Sequence, residues 1–403
     1  MPSVQRLCRI SLASIAALLG ACATMPAPTP MSASTPARQL MLIGDDEKYT
    51  LDDAGKVVNK APGRDEVLIV DIGSEPLAPT IVGRLPLMNT IIGPPTNLQI
   101  TPDGKLALVA NSMDWVADGA GWKAVPDNKL YVIDLLSNPP KLVDTVLVGK
   151  QPSGLSIRQS GDLALVANRG DSSISVLKIN GRSVKLIDTV PMGEIVTHVA
   201  ITADGKHAVA SKFNNHKAAL LDIDGDKVTY GKRDLPVGWW PYNLDVTPDG
   251  KLALTADNGF SGASDGNVDT VSVIDLEANP PRVIDKVVVG DGPEGFAVSP
   301  TGKIAVALII GGSSADKNAF FYNRNGRVVA LKIDGKKVTR LNEIEVRGLP
   351  EGVVFSDDGQ YIYVGNFLDS DVSILRVDGD RIVDTGRRMS LPGHPASMRG
   401  RAR

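Results

Sequence analysis

From residue 98 onward the chain alternates short apolar runs with tight polar turns, and the order of the pieces repeats. The runs LQI (98–100) and LALVA (106–110) flank the turn TPDG (101–104). Equivalent turns are RQSG (158–161), TADG (202–205), TPDG (247–250), SPTG (299–302) and SDDG (356–359). Their glycines, Gly104, Gly161, Gly205, Gly250, Gly302 and Gly359, lie 57, 44, 45, 52 and 57 residues apart. Glycine at this point supplies the positive φ of a tight hairpin. A third run follows each hairpin, as in LYVIDL (130–135), ISVLKI (174–179), VSVIDL (271–276) and VSILRV (372–377). A fourth comes next in KLVDTVLVG, KLIDTVPMG and RVIDKVVVG. Four short strands per repeat, without helical periodicity, predict the four-stranded antiparallel blades of an all-β propeller.

Six full blades run from about residue 93 to 392. The leftovers complement one another. The tail GHPASMRG (393–400) has the pattern of a first strand, as in KQPSGLSI (150–157), and residues 39–87 supply strands two, three and four. A seventh blade shared by both ends would close the ring and leave no free sheet edge. Residues 38–400 divided by seven give about 52 per blade, within the propeller range. The expected domain is therefore a seven-bladed propeller over 38–400.

Ahead of it, Arg6 and Arg9 precede the apolar run ISLASIAALLG, the layout of a signal peptide over residues 1–21. The run ends in Leu19-Gly20-Ala21-Cys22, which resembles a lipoprotein processing site and implies lipidation of Cys22. Residues 22–37 read as a Pro/Ala/Ser/Thr tether. These features predict a periplasmic protein held at the outer membrane by its lipid alone. The other cysteine, Cys8, falls in the removed segment, so no disulfide is expected. A formal charge of −3 gives no footprint for nucleic acid. A monomer is expected.

LALVANS, LALVANRG and YIYVGNF, each after an [ST]-x-D-G-like turn, resemble the YVTN-repeat and lactonase-like seven-bladed propellers. That resemblance covers most of 38–400 and implies the fold. Lactonase relatives carry GxGPRHxxFxPxG, whose Arg-His pair is associated with their active site. Here the stretch is GDGPEGFAVSPTG (290–302), with Glu294 and Gly295 in place of that pair.

Alternating strand direction puts the loop leading into strand one and the end of strand two on one face, here the upper face. Glu294 and Glu351 are equivalent there, each after a proline in adjacent blades, and His198 stands in the corresponding triplet Val196-Thr197-His198. These three are the candidate catalytic groups, since adjacent carboxylates can share a proton and histidine can take one. A divalent cation such as calcium is the one cofactor these carboxylates suggest, with no cofactor as the default. The strand-two ends contribute Asn111, Asn168, Lys212, Asp257 and Asn366, and the leading loops Asn97, Trp239, Trp240, Tyr242 and Asn243. Trp115 lies in a long loop at 112–127, and three more long loops cover 46–64, 258–269 and 310–326. Long loops gathered at one end of a rigid scaffold predict a ligand site.

No GxSxG elbow, HExxH, P-loop or dinucleotide fingerprint occurs. The expectation is an envelope binding module for a small ligand or a protein partner. The alternative is a lactone or ester hydrolase using His198 or the glutamates. A DNA-binding propeller, known among YVTN relatives, is disfavoured by the acidic balance.

Overall fold

A computed structural model describes residues 38–403; the expected signal peptide, tether and Cys22 lie outside the described residues. Seven four-stranded antiparallel sheets are present. Blade 1 comprises Leu98–Ile100, Leu106–Asp118, Gly121–Asp134 and Lys141–Leu147. Blades 2 to 6 follow in order over residues 152–191, 196–236, 241–290, 293–345 and 350–390. Blade 7 joins His394–Arg399 to Leu40–Asp46, Glu66–Asp71 and Thr80–Leu85. Both ends of the chain thus meet in one sheet, with Leu42 opposite Arg399 and Ile43 opposite Met398.

The repeated turn has a local cause. In TPDG the Thr101 hydroxyl donates to Asp103 Oδ1 at 2.7 Å and accepts the Leu106 N–H at 3.0 Å. Gly104 then takes φ 72°. Thr202–Asp204, Thr247–Asp249 and Ser356–Asp358 repeat the same bond before Gly205, Gly250 and Gly359. A hydroxyl, an aspartate and a left-handed glycine at fixed spacing therefore write four of the six hairpins into the sequence, while RQSG and SPTG lack that aspartate and keep the glycine.

The blades pack through their apolar faces. One core cluster runs from Leu163 and Val176 of blade 2 to Val199 and Leu221 of blade 3. Another joins Leu254 and Val273 of blade 4 to Phe296 and Val329 of blade 5. Around the axis the inner strands are also stitched by side chains. Gln99 Oε1 accepts the Ile157 N–H, Ser156 Oγ that of Ile201, and Asp245 Oδ2 that of Val298. Pairing continues past residue 400, where Ile100 bridges Arg401 and the Ala402 N–H bonds the Ile100 carbonyl at 2.8 Å.

Two of the expected loops contain sheet. Residues 112–127 are not a loop: strands two and three of blade 1 extend as one ribbon, with Trp115 opposite Ala124. The stretch WVADGAGWKAV places Asp118-Gly119-Ala120-Gly121 between two runs containing tryptophan and valine, which suits a two-stranded ribbon with a tight turn as well as a loop. Within 46–64, Tyr49–Leu51 pairs with Val57–Asn59 in a small hairpin.

Crowding near the axis generates a prediction. A Cβ on Gly352 would lie 2.5 Å from both the backbone N and the Cβ of Met398 in the closing strand. Gly352→Ala is expected to cost about 1–3 kcal/mol through overpacking, read as a lower denaturant midpoint. Unchanged stability would contradict so close an approach of blades 6 and 7.

Candidate functional site

Glu294 and Glu351 occupy the second position of adjacent inner strands, Pro293–Val298 and Pro350–Phe355. They are 5% and 1% exposed, so neither is the solvated rim residue that a carboxylate at a pore mouth would ordinarily be. The glycine after each makes that burial possible. A Cβ on Gly295 would collide with the Glu351 carbonyl oxygen, so the two strands can meet only with glycine there.

Burial pushes the Glu294 carboxyl up to about 8, opposed by the Arg169 guanidinium and the Tyr242 hydroxyl, which favour its anion. Burial, and then the charge of Glu294, hold Glu351 well above the usual glutamate value. Glu294 thus has two neighbours that stabilise a negative charge, and Glu351 has a neighbour that opposes one. Above them, burial and the same two carboxylates raise Tyr49 to about 12. Tyr49 packs edge-on to Phe367 with ring centroids 6.0 Å apart. It joins Ile91, Ile310, Leu349, Phe367 and Ala396 in an apolar cap formed where the 46–64 hairpin meets strand-end segments of neighbouring blades.

Arg169 is the functional candidate that the strand-end series missed. It follows Asn168 in LALVANRG, one residue beyond the position compared, where Lys212 is the lone cation. Its Nε and Nη1 are buried without a hydrogen-bond partner, and it forms no ion pair among the described residues. Lys212, by contrast, is committed within blade 3 to Tyr230, Asp234 and Glu194 at 2.6, 3.0 and 3.0 Å.

His198 stands one position past the glutamates, level with Gly154, Gly295 and Gly352. Its ring fills the space over Gly154, where a Cβ would overlap Nδ1, and Nδ1 lies 2.8 Å from Thr96 Oγ1. It is fully buried, and burial, then Arg399, hold its pKa well below the ordinary value. It is a neutral wedge in the channel wall.

The remaining strand-end residues bond within their own blades. Asn168 donates to Ser173 and Ser175, Asn366 to Asp371 and Ser373, and Asn111 to Asp127. Asp257 accepts from Thr255, Thr270 and Ser272, while burial raises it to about 6. Asn97 donates to the Ala110 carbonyl, and Asn243 accepts its neighbour's Leu244 N–H.

The aromatic residues also pair locally. Trp115 is buried with Lys48 Nζ 4.5 Å over its ring, and Lys48 is bonded to Asp46, Asp65 and the Asn89 carbonyl. Trp239 stacks on His216 at 5.4 Å and is 68% exposed. Trp240 and Tyr242 both pack on Phe213. No tryptophan lines the central cavity or the two shallower ones at the blade edge and the cap. Among the described residues no group of three or more His, Cys, Asp or Glu is placed to hold a metal ion.

Comparison with known proteins agrees with this architecture. Residues 128–238 match the family model described as lactonase, 7-bladed beta-propeller. Among solved structures, a 6-phosphogluconolactonase candidate from Bacteroides fragilis superposes with a TM-score of 0.67 at 17% identity, covering 91% of this chain and 99% of its own. The periplasmic gluconolactonase of Pseudomonas aeruginosa gives 0.63 at 18%, covering 90% and 99%. Kuenenia stuttgartiensis hydrazine synthase gives 0.58 at 20%, covering 77% and 90%. At these identities the likeness shows the fold alone. No curated protein matches the sequence.

The raised carboxyls link stability to pH. Each binds its proton more tightly folded than unfolded, so this contribution is complete below the unfolded value of 4.5 and is lost as pH rises through about 8. Thermal midpoints are expected to fall across that window, and Glu351→Gln to flatten the fall. An identical pH slope in the variant would contradict the coupled burial of the pair.

Proposed function

We propose that this protein hydrolyses lactones at the upper end of the central channel, with Glu294 and Glu351 as its acid–base pair. The observation that carries the reading is two buried carboxylates on adjacent inner strands whose backbones meet at Gly295, beside a guanidinium that has no ion-pair partner among the described residues. Two like groups whose surroundings differ take different proton states, which is how acid and base roles divide between carboxyls. Glu294, favoured as an anion by Arg169 and Tyr242, takes a proton from water as the oxygen attacks the lactone carbonyl. Arg169 faces the charge that develops on the carbonyl oxygen. Glu351, the protonated member, gives its proton to the ring oxygen as the acyl C–O bond breaks, leaving a hydroxy acid. The proton gained by Glu294 passes back to Glu351 and restores the starting state. Substrate access requires the Tyr49–Leu51 and Val57–Asn59 hairpin to swing away, because Tyr49 belongs to the cap.

Support also comes from the lactonase family match and from a periplasmic gluconolactonase among the solved neighbours. That neighbour and the N-terminal pattern support an envelope location. Lipidation of Cys22 and attachment through the lipid alone belong to the same proposal. Exposed Trp239, Phe260 and Phe320 are rings available to a partner protein.

The test is turnover of a panel of aldono-, δ- and γ-lactones and aryl esters. Glu294→Gln is expected to lose about 10²–10⁴-fold in kcat through loss of the base. Arg169→Gln is expected to lose about 10²–10³-fold, as for removal of an oxyanion donor. His198→Gln is expected to keep turnover, and EDTA to leave it unchanged. A wild-type protein silent on the whole panel, or a fully active Glu294→Gln, would overturn the reading.

A further inference from the structure

The central channel is not filled at its other end. A cavity of about 290 Å³ opens among the hairpin turns of the lower face, beside Ala203, Pro248 and Pro300. Its wall is charged in a way the whole chain is not. Arg399, Arg401 and Arg403 line it against a single acidic residue, Asp245, although the protein carries a net charge of −3. The cause lies in the closing blade. At the fifth inner-strand position the ring reads Gln99, Ser156, Ala200, Asp245, Ala297, Val354 and Arg399, so small side chains leave room and one long cation enters it.

The arginines are incompletely used. Arg399 donates Nη1 to the Leu155 carbonyl and forms no ion pair within 4.0 Å among the described residues. Asp245 acts on it as an opposite charge at longer range, while its two oxygens are occupied by the Val246 and Val298 N–H groups at 2.9 Å each and leave the Arg399 donors free of a direct carboxylate contact. Among the described residues Arg401 has one side-chain bond, to the Arg38 carbonyl at 3.2 Å, and no ion pair. Arg403 is paired with Asp357 at 2.9 Å and rims the mouth. Guanidinium groups held beside an open cavity, with N–H donors to spare, match the planar oxygens of a carboxylate or a phosphate.

We propose that the lower channel is a binding site for a small oxyanion, a phosphate or carboxylate compound held by Arg399 and Arg401. The cavity lies at the small end of the range for ligand pockets, which suits a compact anion rather than a polymer. The site is separate from Glu294 and Glu351, which do not line it.

Calorimetric titration with inorganic phosphate and, separately, malonate tests this at constant ionic strength. The wild type is expected to bind at least one of them with a dissociation constant at or below about 1 mM. The stronger of the two identifies the class. Arg399→Gln and Arg401→Gln are each expected to weaken binding about tenfold or more, with far-ultraviolet circular dichroism confirming the fold. Arg401→Gln touches only a surface carbonyl, so it remains informative if Arg399→Gln fails to fold. Arg169→Gln, at the opposite end, is expected to leave binding intact. No binding of either anion up to about 10 mM would overturn the proposal. So would binding that survives both lower-face substitutions, or that is lost with Arg169→Gln.

Discussion

Seven inner strands converge on one axis, and the room left between neighbours governs what can stand there. At the third position of those strands three blades have glycine, namely Gly154, Gly295 and Gly352, each hard against the next blade. Their missing side chains let backbones approach, and that approach excludes water from the residue just before. The recurring Pro-Glu-Gly is therefore one device with three parts. Proline opens the strand, glycine admits the neighbouring blade, and the glutamate between them is shut away from solvent. Two such triplets side by side turn ordinary surface carboxylates into a buried pair with raised proton affinity.

The same convergence separates scaffold from chemistry. Asn168 and Asn366 recur in register because each ties a strand end to the serines and aspartate of its own third strand. Asp257 does this with hydroxyls. Their repetition reflects the needs of a blade. Glu294, Glu351 and Arg169 break the repeat, and their polar groups have few local partners. At the lower end, Arg399 is the one cation in a ring that otherwise reads Gln99, Ser156, Ala200, Asp245, Ala297 and Val354. Departures from the repeat mark both ends of the channel.

Blade number, strand order and closure were legible in the sequence because their causes are local. A tight turn ending in a left-handed glycine announces each of the six hairpins, four of them with a hydroxyl–aspartate bond, and the orphan strands at 39–87 and 393–400 complement each other. The ribbon around Trp115 and the cap around Tyr49 were not legible, since both depend on contacts between distant insertions. Lys48 shows why: its partners Asp65, Asn89 and Trp115 are spread over 67 residues, 115 minus 48. The position of Glu294 and Glu351 was readable, but their burial required knowing where Gly295 meets the next strand. Arg169 escaped because it lies one residue beyond the aligned strand end. His198 was in the right triplet but one place along, where a side chain packs toward its neighbours. The lactonase-type neighbours among the solved structures share the propeller fold.

The central claim is that two glutamates, made neighbours by the close packing of blades 5 and 6 at Gly295, share protons in a water-excluded setting. Carbon-13 titration of the side-chain carboxyls, assigned with Glu294→Gln and Glu351→Gln, tests it most directly. The account predicts that the two titrate as a linked pair, with at least one still protonated at neutral pH and the survivor shifted when its partner is replaced. Two independent titrations near the ordinary glutamate value of 4.5 would contradict it.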